Sequence, residues 1–171
     1  MNKTTMQTFT GKLIDLSEFS VDDVRLPDIA HALSILNRFT GHSKTPYSVA
    51  QHSVMVSKIC PPEHAMWGLL HDASEAYLGD IASPLKSMLP DYVLLEENFQ
   101  RVIAKAFHLP YPIPDEVKLA DKRALMAEKR DLITCDHDWG IKVEPMAGPI
   151  NPYCWQQAKK LFEERYLELA K

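Results

Sequence analysis

The sequence predicts an all-α domain of six or seven helices. Apolar residues recur at helical spacing from Leu26 almost to the last residue, prolines and glycines mark where those stretches begin and end, and strand-like alternation is confined to residues 6–16. The 171 residues, 46% hydrophobic and 25% charged, suffice for one domain with a core and are too few for two ordinary ones, so 1–171 is read as a single domain.

Residues 6–16 alternate loosely around Gly11, which predicts a short N-terminal β-hairpin. LPDIAHALSILNRF, from Leu26, sets Ile29, Ala32, Leu33 and Leu36 on one helical face, with Asp28 as N-cap. Residues 40–46 are loop. Ser48 is placed to cap a helix that Pro61 and Pro62 end. The next helix is expected from about Glu63 to Leu78, stopped by Gly79, and Ser83-Pro84 open a short one through Met88. A helix from about Tyr92 to Phe107 turns Leu95, Phe99, Val102, Ile103 and Ala106 to one side. After the proline-rich loop 109–114, Asp115 starts a helix to about Ile133. Residues 134–152 are the least regular. A final helix, about Tyr153 to Ala170, is expected to bury Trp155, Ala158, Leu161 and Phe162.

Composition narrows the function. No apolar run approaches the roughly 20 residues of a membrane span, and Met1–Leu16, polar and broken by Gly11, does not read as a signal peptide. Cys60, Cys135 and Cys154 are odd in number and form no CxxC pair, so they are expected to be reduced packing thiols in a cytoplasmic protein. A net charge of -4 argues against a nucleic-acid duplex as partner, whereas a local cluster of cations or a metal would still hold a small anion.

Three helices carry polar residues where a plain bundle would not. His52 falls on the apolar face of Val49, Val56 and Cys60. Gly68, His71, Asp72 and Glu75 form a stripe at i, i+3, i+4 and i+7 that contains no cation. Asp121 is flanked on its own face by Val117, Ala124 and Leu125, and burying a carboxylate is costly unless it is paired or binds a metal. Each has a plain alternative: a core histidine, a solvated face, a salt bridge to Lys122 or Arg123. Together they offer two imidazoles and two carboxylates from three helices. That donor set suits Mn, Fe, Co, Ni or Zn, and an octahedral ion so held keeps positions for water and a phosphate oxygen.

His52, the adjacent pair His71-Asp72 and distant Asp121 resemble the H…HD…D signature of the HD-domain metal-dependent phosphohydrolases. YSVAQHS around His52 and LLHDASEAYLGDIASPLK, from Leu69 to Lys86, are similar to the bacterial 5′-deoxyribonucleotidases and to compact phage-encoded deoxynucleotide triphosphohydrolases, including dATP-specific ones. The block NRFTGHSKTPYSVAQHS looks most like the phage and prophage branch. The likeness spans roughly residues 26–133 and implies an HD-domain helical bundle. It implies His52, His71, Asp72 and Asp121 as metal ligands, for Co, Mn, Zn, Ni or Fe, with Mg accompanying the nucleotide. It implies Glu75 as the carboxylate beside the nucleophilic water and Asp80 as a second acidic group at the site. It implies Arg38, Phe39 and Lys86 against phosphate, sugar or base, and association into a homo-oligomer. Lys44, in the loop before His52, is expected to supply the extra positive charge a triphosphate needs.

The expected activity is therefore release of deoxynucleoside and triphosphate from a dNTP. A 5′-nucleotidase acting on dNMPs is the runner-up, and an inert nucleotide-binding module on the same fold comes third, since no ligand is missing. His31 and His42 read as packing or surface residues and His137 as part of a solvated turn. KRALMAEKR, residues 122–130, reads as a charged stretch that solvates its helix.

Overall fold

A computed structural model describes residues 3–134 and 137–171. Cys135, expected to be a packing thiol, lies outside the described residues. The chain opens with β1 (Thr5–Gln7) and β2 (Leu13–Asp15), an antiparallel hairpin pairing Met6 with Ile14 and turning at Gly11, whose φ of 84° favours glycine. Eight α-helical segments follow among the described residues: α1 (Leu26–Ile35), α2 (Val49–Ile59), α3 (Ala65–Leu70), α4 (Glu75–Leu78), α5 (Ser83–Lys86), α6 (Pro90–Ala106), α7 (Asp115–Leu132) and α8 (Trp155–Leu169). The all-α expectation and the hairpin hold.

α2 is the axis of the bundle, in contact with α1, α3, α7 and α8. Neighbours on several sides leave it little solvated surface beyond Lys58, so Gln51, His52, Ser53 and Ser57 are buried together with Val49, Ala50, Val54 and Val56. Buried polar groups call for internal partners, and all of these but the Ser53 hydroxyl have one. Ser57 Oγ donates to the Ala65 carbonyl at 2.8 Å and accepts from Arg165 Nε of α8 at 2.9 Å. Gln51 donates to the Asn151 carbonyl and accepts from the Tyr153 N–H, both at 2.8 Å, which ties the irregular 150s to the centre. Ser48 caps α2 as expected, accepting from the Gln51 N–H at 3.2 Å.

α3 crosses α2 at Gly68. A Cβ there would lie 2.8 Å from Cys60 Sγ and 2.9 Å from the Ser57 Cα. The glycine exists for the approach of another backbone. Gly68→Ala is expected to force α3 away from α2 and to destabilise by about 1–3 kcal/mol, the usual cost of overpacking a core. Urea unfolding measures this, and an unchanged midpoint would contradict it.

Several elements depart from expectation. The helix expected over 63–78 is broken. Residues 71–74 form tight turns, with i+3 bonds from the Ala73 N–H to the Leu70 carbonyl and from the Glu75 N–H to the Asp72 carbonyl. Asp28 does not cap α1; Arg25 occupies that position, and Asp28 is buried within the first turn, accepting from the Thr10 N–H at 2.6 Å and its hydroxyl at 3.0 Å. Trp155 is not buried: it opens α8 with 44% of its surface exposed, edge-on to His31, while Ala158 and Phe162 face the core and Leu161 is half-buried. Cys154 is exposed rather than packed. No described helix is long and apolar enough to cross a membrane.

Candidate metal centre

His52 and His71 come from α2 and the turn after α3, the pair that Gly68 brings together. Their Nε2 atoms lie 3.3 Å apart. Asp72 Oδ2 is 3.2 Å from His71 Nε2 and 3.6 Å from His52 Nε2. Asp121 Oδ1, from α7, is 3.2 Å from His52 Nε2, with its side chain 37% exposed. The three donors of His52, His71 and Asp72 all lie within 4.8 Å of one another. Asp121 thus pairs with a histidine of another helix, not with Lys122 or Arg123.

The residues fit a divalent ion on two counts. Edges of 3.2–3.6 Å between donors are close to the ~3.0–3.4 Å separations that bonds of about 2.1 Å produce around one ion. The second count is tautomeric. His71 Nδ1 is 2.9 Å from the Gly68 carbonyl and His52 Nδ1 is 2.6 Å from Glu128 Oε1. Carbonyl and carboxylate oxygens only accept, so each imidazole donates from Nδ1 and turns Nε2 toward the shared point. The group can hold a metal ion.

The charges around it are interlocked. Arg38 follows a bridge between Asn37 and Ser48 that returns the chain to the start of α2. Its Nε and Nη2 donate to Glu128 Oε2 at 3.1 and 3.0 Å, and its Nη1 stands 3.6 Å from Asp72 Oδ2. Burial pushes the Asp72 carboxyl up, yet His71, His52 and Arg38 override it and hold the group well below the usual range. Burial and the Arg38 charge press the His52 pKa down, but Glu128 and Asp121 lift it to about 9. Metal-free protein is therefore expected to lose stability as pH rises. The proton on His52 contributes fully below the ordinary value near 6.5, and its contribution is lost as pH passes through about 9. The loss is at most roughly 3 kcal/mol, readable as a falling melting temperature in chelator between pH 6.5 and 9. A flat profile would count against the Glu128–His52–Asp121 arrangement.

Glu75, first residue of α4, is 6% exposed, and its Oε2 has no hydrogen-bond partner. Burial, reinforced by Asp72 and Asp80, raises its pKa well above the ordinary carboxylate value. Asp80 is half-buried just beyond Gly79, its pKa raised by burial and Asp72 against the opposing charges of Arg38 and Lys86. Lys86 is close enough to act on Glu75 and Asp72, but its Nζ donates to Glu96 Oε1 at 2.7 Å. Phe39 is half-buried in the left-handed region (φ 57°), with the Arg38 guanidinium 5.4 Å from its ring centre, and is not a core residue.

Lys44 does not join this group. Its N–H donates to the Leu132 carbonyl and its Nζ to that of Asp131, at the far end of α7, where it lines a separate cavity of about 620 Å³ with Lys129 and Arg130. Sequence reasoning missed Glu128. The run 122–130 is not simply a solvating stretch: Ala124, Ala127 and Glu128 are buried. The available signal was spacing, since Glu128 is seven residues after Asp121 and shares its face of α7. His31 packs flat on Phe9 at 3.7 Å, His42 is exposed, and His137 precedes a turn in which Asp138 accepts from the Gly140 N–H.

No protein-family model matches the chain. It is 40% identical over 170 residues to the uncharacterized protein YfdR of Escherichia coli K12, covering 96% of this chain and 95% of that protein. The chain belongs to the YfdR family. A second relative, the uncharacterized protein RCAP_rcc00048 of Rhodobacter capsulatus, is 32% identical over 134 residues, 72% of this chain and 68% of the relative. The YfdR match runs almost end to end, so it takes in α8 and the irregular 134–152 stretch along with the centre.

Proposed function

We propose that the protein is a metal-dependent phosphohydrolase of the HD-domain type whose substrate is a deoxynucleotide, with dNTPs, dATP among them, as the preferred class. The observation that carries this reading is the cluster of His52, His71 and Asp72, joined by Asp121 through His52 and within electrostatic reach of Glu75, a buried carboxylate with an unpartnered oxygen. A divalent ion held by that set supplies Lewis acidity toward a phosphoryl oxygen and an acidified water. Arg38, fixed by Glu128, retains guanidinium donors for a phosphate. Glu75, kept protonatable by burial, takes a proton from the attacking water or returns one to the leaving oxygen. Phe39 offers a flat apolar face beside Arg38 to sugar or base.

A second reading, a 5′-deoxyribonucleotidase acting on dNMPs, is favoured by the cation count. With Lys44 remote and Lys86 paired to Glu96, Arg38 is the main cation beside the centre, which suits one phosphate better than three. A panel of dNMPs, dNDPs and dNTPs with Mn, Co or Mg, products resolved by chromatography, decides. Triphosphate plus deoxynucleoside supports the first reading and orthophosphate from dNMPs the second. A protein that takes up no metal and leaves every nucleotide intact would overturn both.

A further inference from the structure

We infer that Glu128 is a positioning residue that fixes the tautomer of His52 and thereby keeps its Nε2 open to a metal ion. Glu128 is fully buried on α7 and divides its two oxygens between His52 of α2 and Arg38 of the preceding loop. Oε1 accepts from His52 Nδ1 at 2.6 Å, and Oε2 accepts from Arg38 Nε and Nη2 at 3.1 and 3.0 Å. Because both of its oxygens only accept, the single proton of the neutral, metal-binding imidazole must sit on Nδ1. That leaves the Nε2 lone pair facing His71 Nε2 at 3.3 Å and Asp121 Oδ1 at 3.2 Å.

The near-isosteric Glu128→Gln separates this role from that of a buried salt bridge. An amide has one acceptor end and one donor end, and the Arg38 guanidinium carries donors only. The amide oxygen therefore turns to Arg38 and its NH₂ to His52, whose Nδ1 must then accept. The imidazole proton moves to Nε2, the atom that faces the other ligands. The Tyr47 hydroxyl beside Glu128 can donate or accept and does not alter the choice.

The inference rests on the metal-binding part of the proposed function and on none of its chemistry. Histidine ¹⁵N NMR and zinc titration on the full chain test it. In zinc-loaded wild type, His52 is expected to carry its proton on Nδ1 and to bind zinc through Nε2. Glu128→Gln, in chelator, is expected to carry the proton on Nε2 and to bind zinc roughly 10–100-fold more weakly. Wild-type zinc binding with an unchanged tautomer and affinity in Glu128→Gln would overturn the inference and leave the functional proposal standing. A wild type that binds no ion overturns both. If Glu128→Gln does not fold, the zinc-loaded wild-type spectrum decides alone: zinc on Nδ1, or a proton on Nε2, refutes the assignment.

Discussion

On the proposed function, Asp72→Ala is expected to lose the capacity to bind a divalent ion and with it all measurable hydrolysis. Asp72 Oδ2 lies within 3.2–3.6 Å of His71 Nε2, His52 Nε2 and Arg38 Nη1, so one atom serves both imidazoles and the guanidinium. Removing a partner that merely supports a ligand costs 10–100-fold in metal affinity, and loss of a direct anionic donor should exceed about 100-fold. The fold should survive, because Arg38 keeps its bonds to Glu128. Asp121→Ala is the graded control: with a side chain 37% exposed and its short contact made to His52 alone among the ligands, it should reduce occupancy less. Elemental analysis after chelation and reloading gives the comparison. Wild-type stoichiometry in Asp72→Ala would refute the centre.

Glu75→Gln is expected to do the opposite to the ion and nearly the same to turnover. It should keep its metal and lose roughly 10²–10⁴ in rate, the range for a missing acid–base group. It should also be more stable than wild type near neutral pH. A carboxyl whose pKa is raised on folding is penalised once it ionises, so the neutral amide relieves a cost that burial, Asp72 and Asp80 impose. Below the ordinary carboxyl pKa both forms are neutral and the advantage should vanish. Paired melting curves at about pH 7.5 and about pH 4, on either side of the ordinary value of about 4.3, read the difference. Undiminished turnover would transfer the proton-handling role to Asp80.

Much of this was legible in the residues. A histidine between Val49 and Val56 could only be buried, and it is fully so. Ser48 before a helical run announced a cap, and the cation-free stripe of His71, Asp72 and Glu75 does face the centre. The break at 71–74 was not legible, because i+3 and i+4 hydrogen bonds leave nearly the same periodicity of side chains. Glu128 was hidden by the lysines and arginines around it: charge density in a run says nothing about which single member points inward. Trp155 was misassigned for a related reason. Its place on the face of Ala158 was read correctly, but the core ends before the face does, and the indole meets His31 at the surface. Lys44 precedes the ligand helix closely in sequence, yet the chain turns away toward the C-terminal end of α7 before returning.

The bridge between Asn37 and Ser48 makes residues 38–47 a closed excursion, pinned at its base and exposed at its tip from Gly41 to Pro46 except at half-buried Ser43. Arg38 stands on one stem and the ligand helix continues from the other. Lengthening a loop whose ends are already joined costs only about 0.6 kcal/mol for each doubling. The tip, which turns away toward the C-terminal end of α7, can therefore be rewritten by insertion while Arg38 and the first turn of α2 stay pinned at the base, which makes it the natural place to attach a new segment without moving His52.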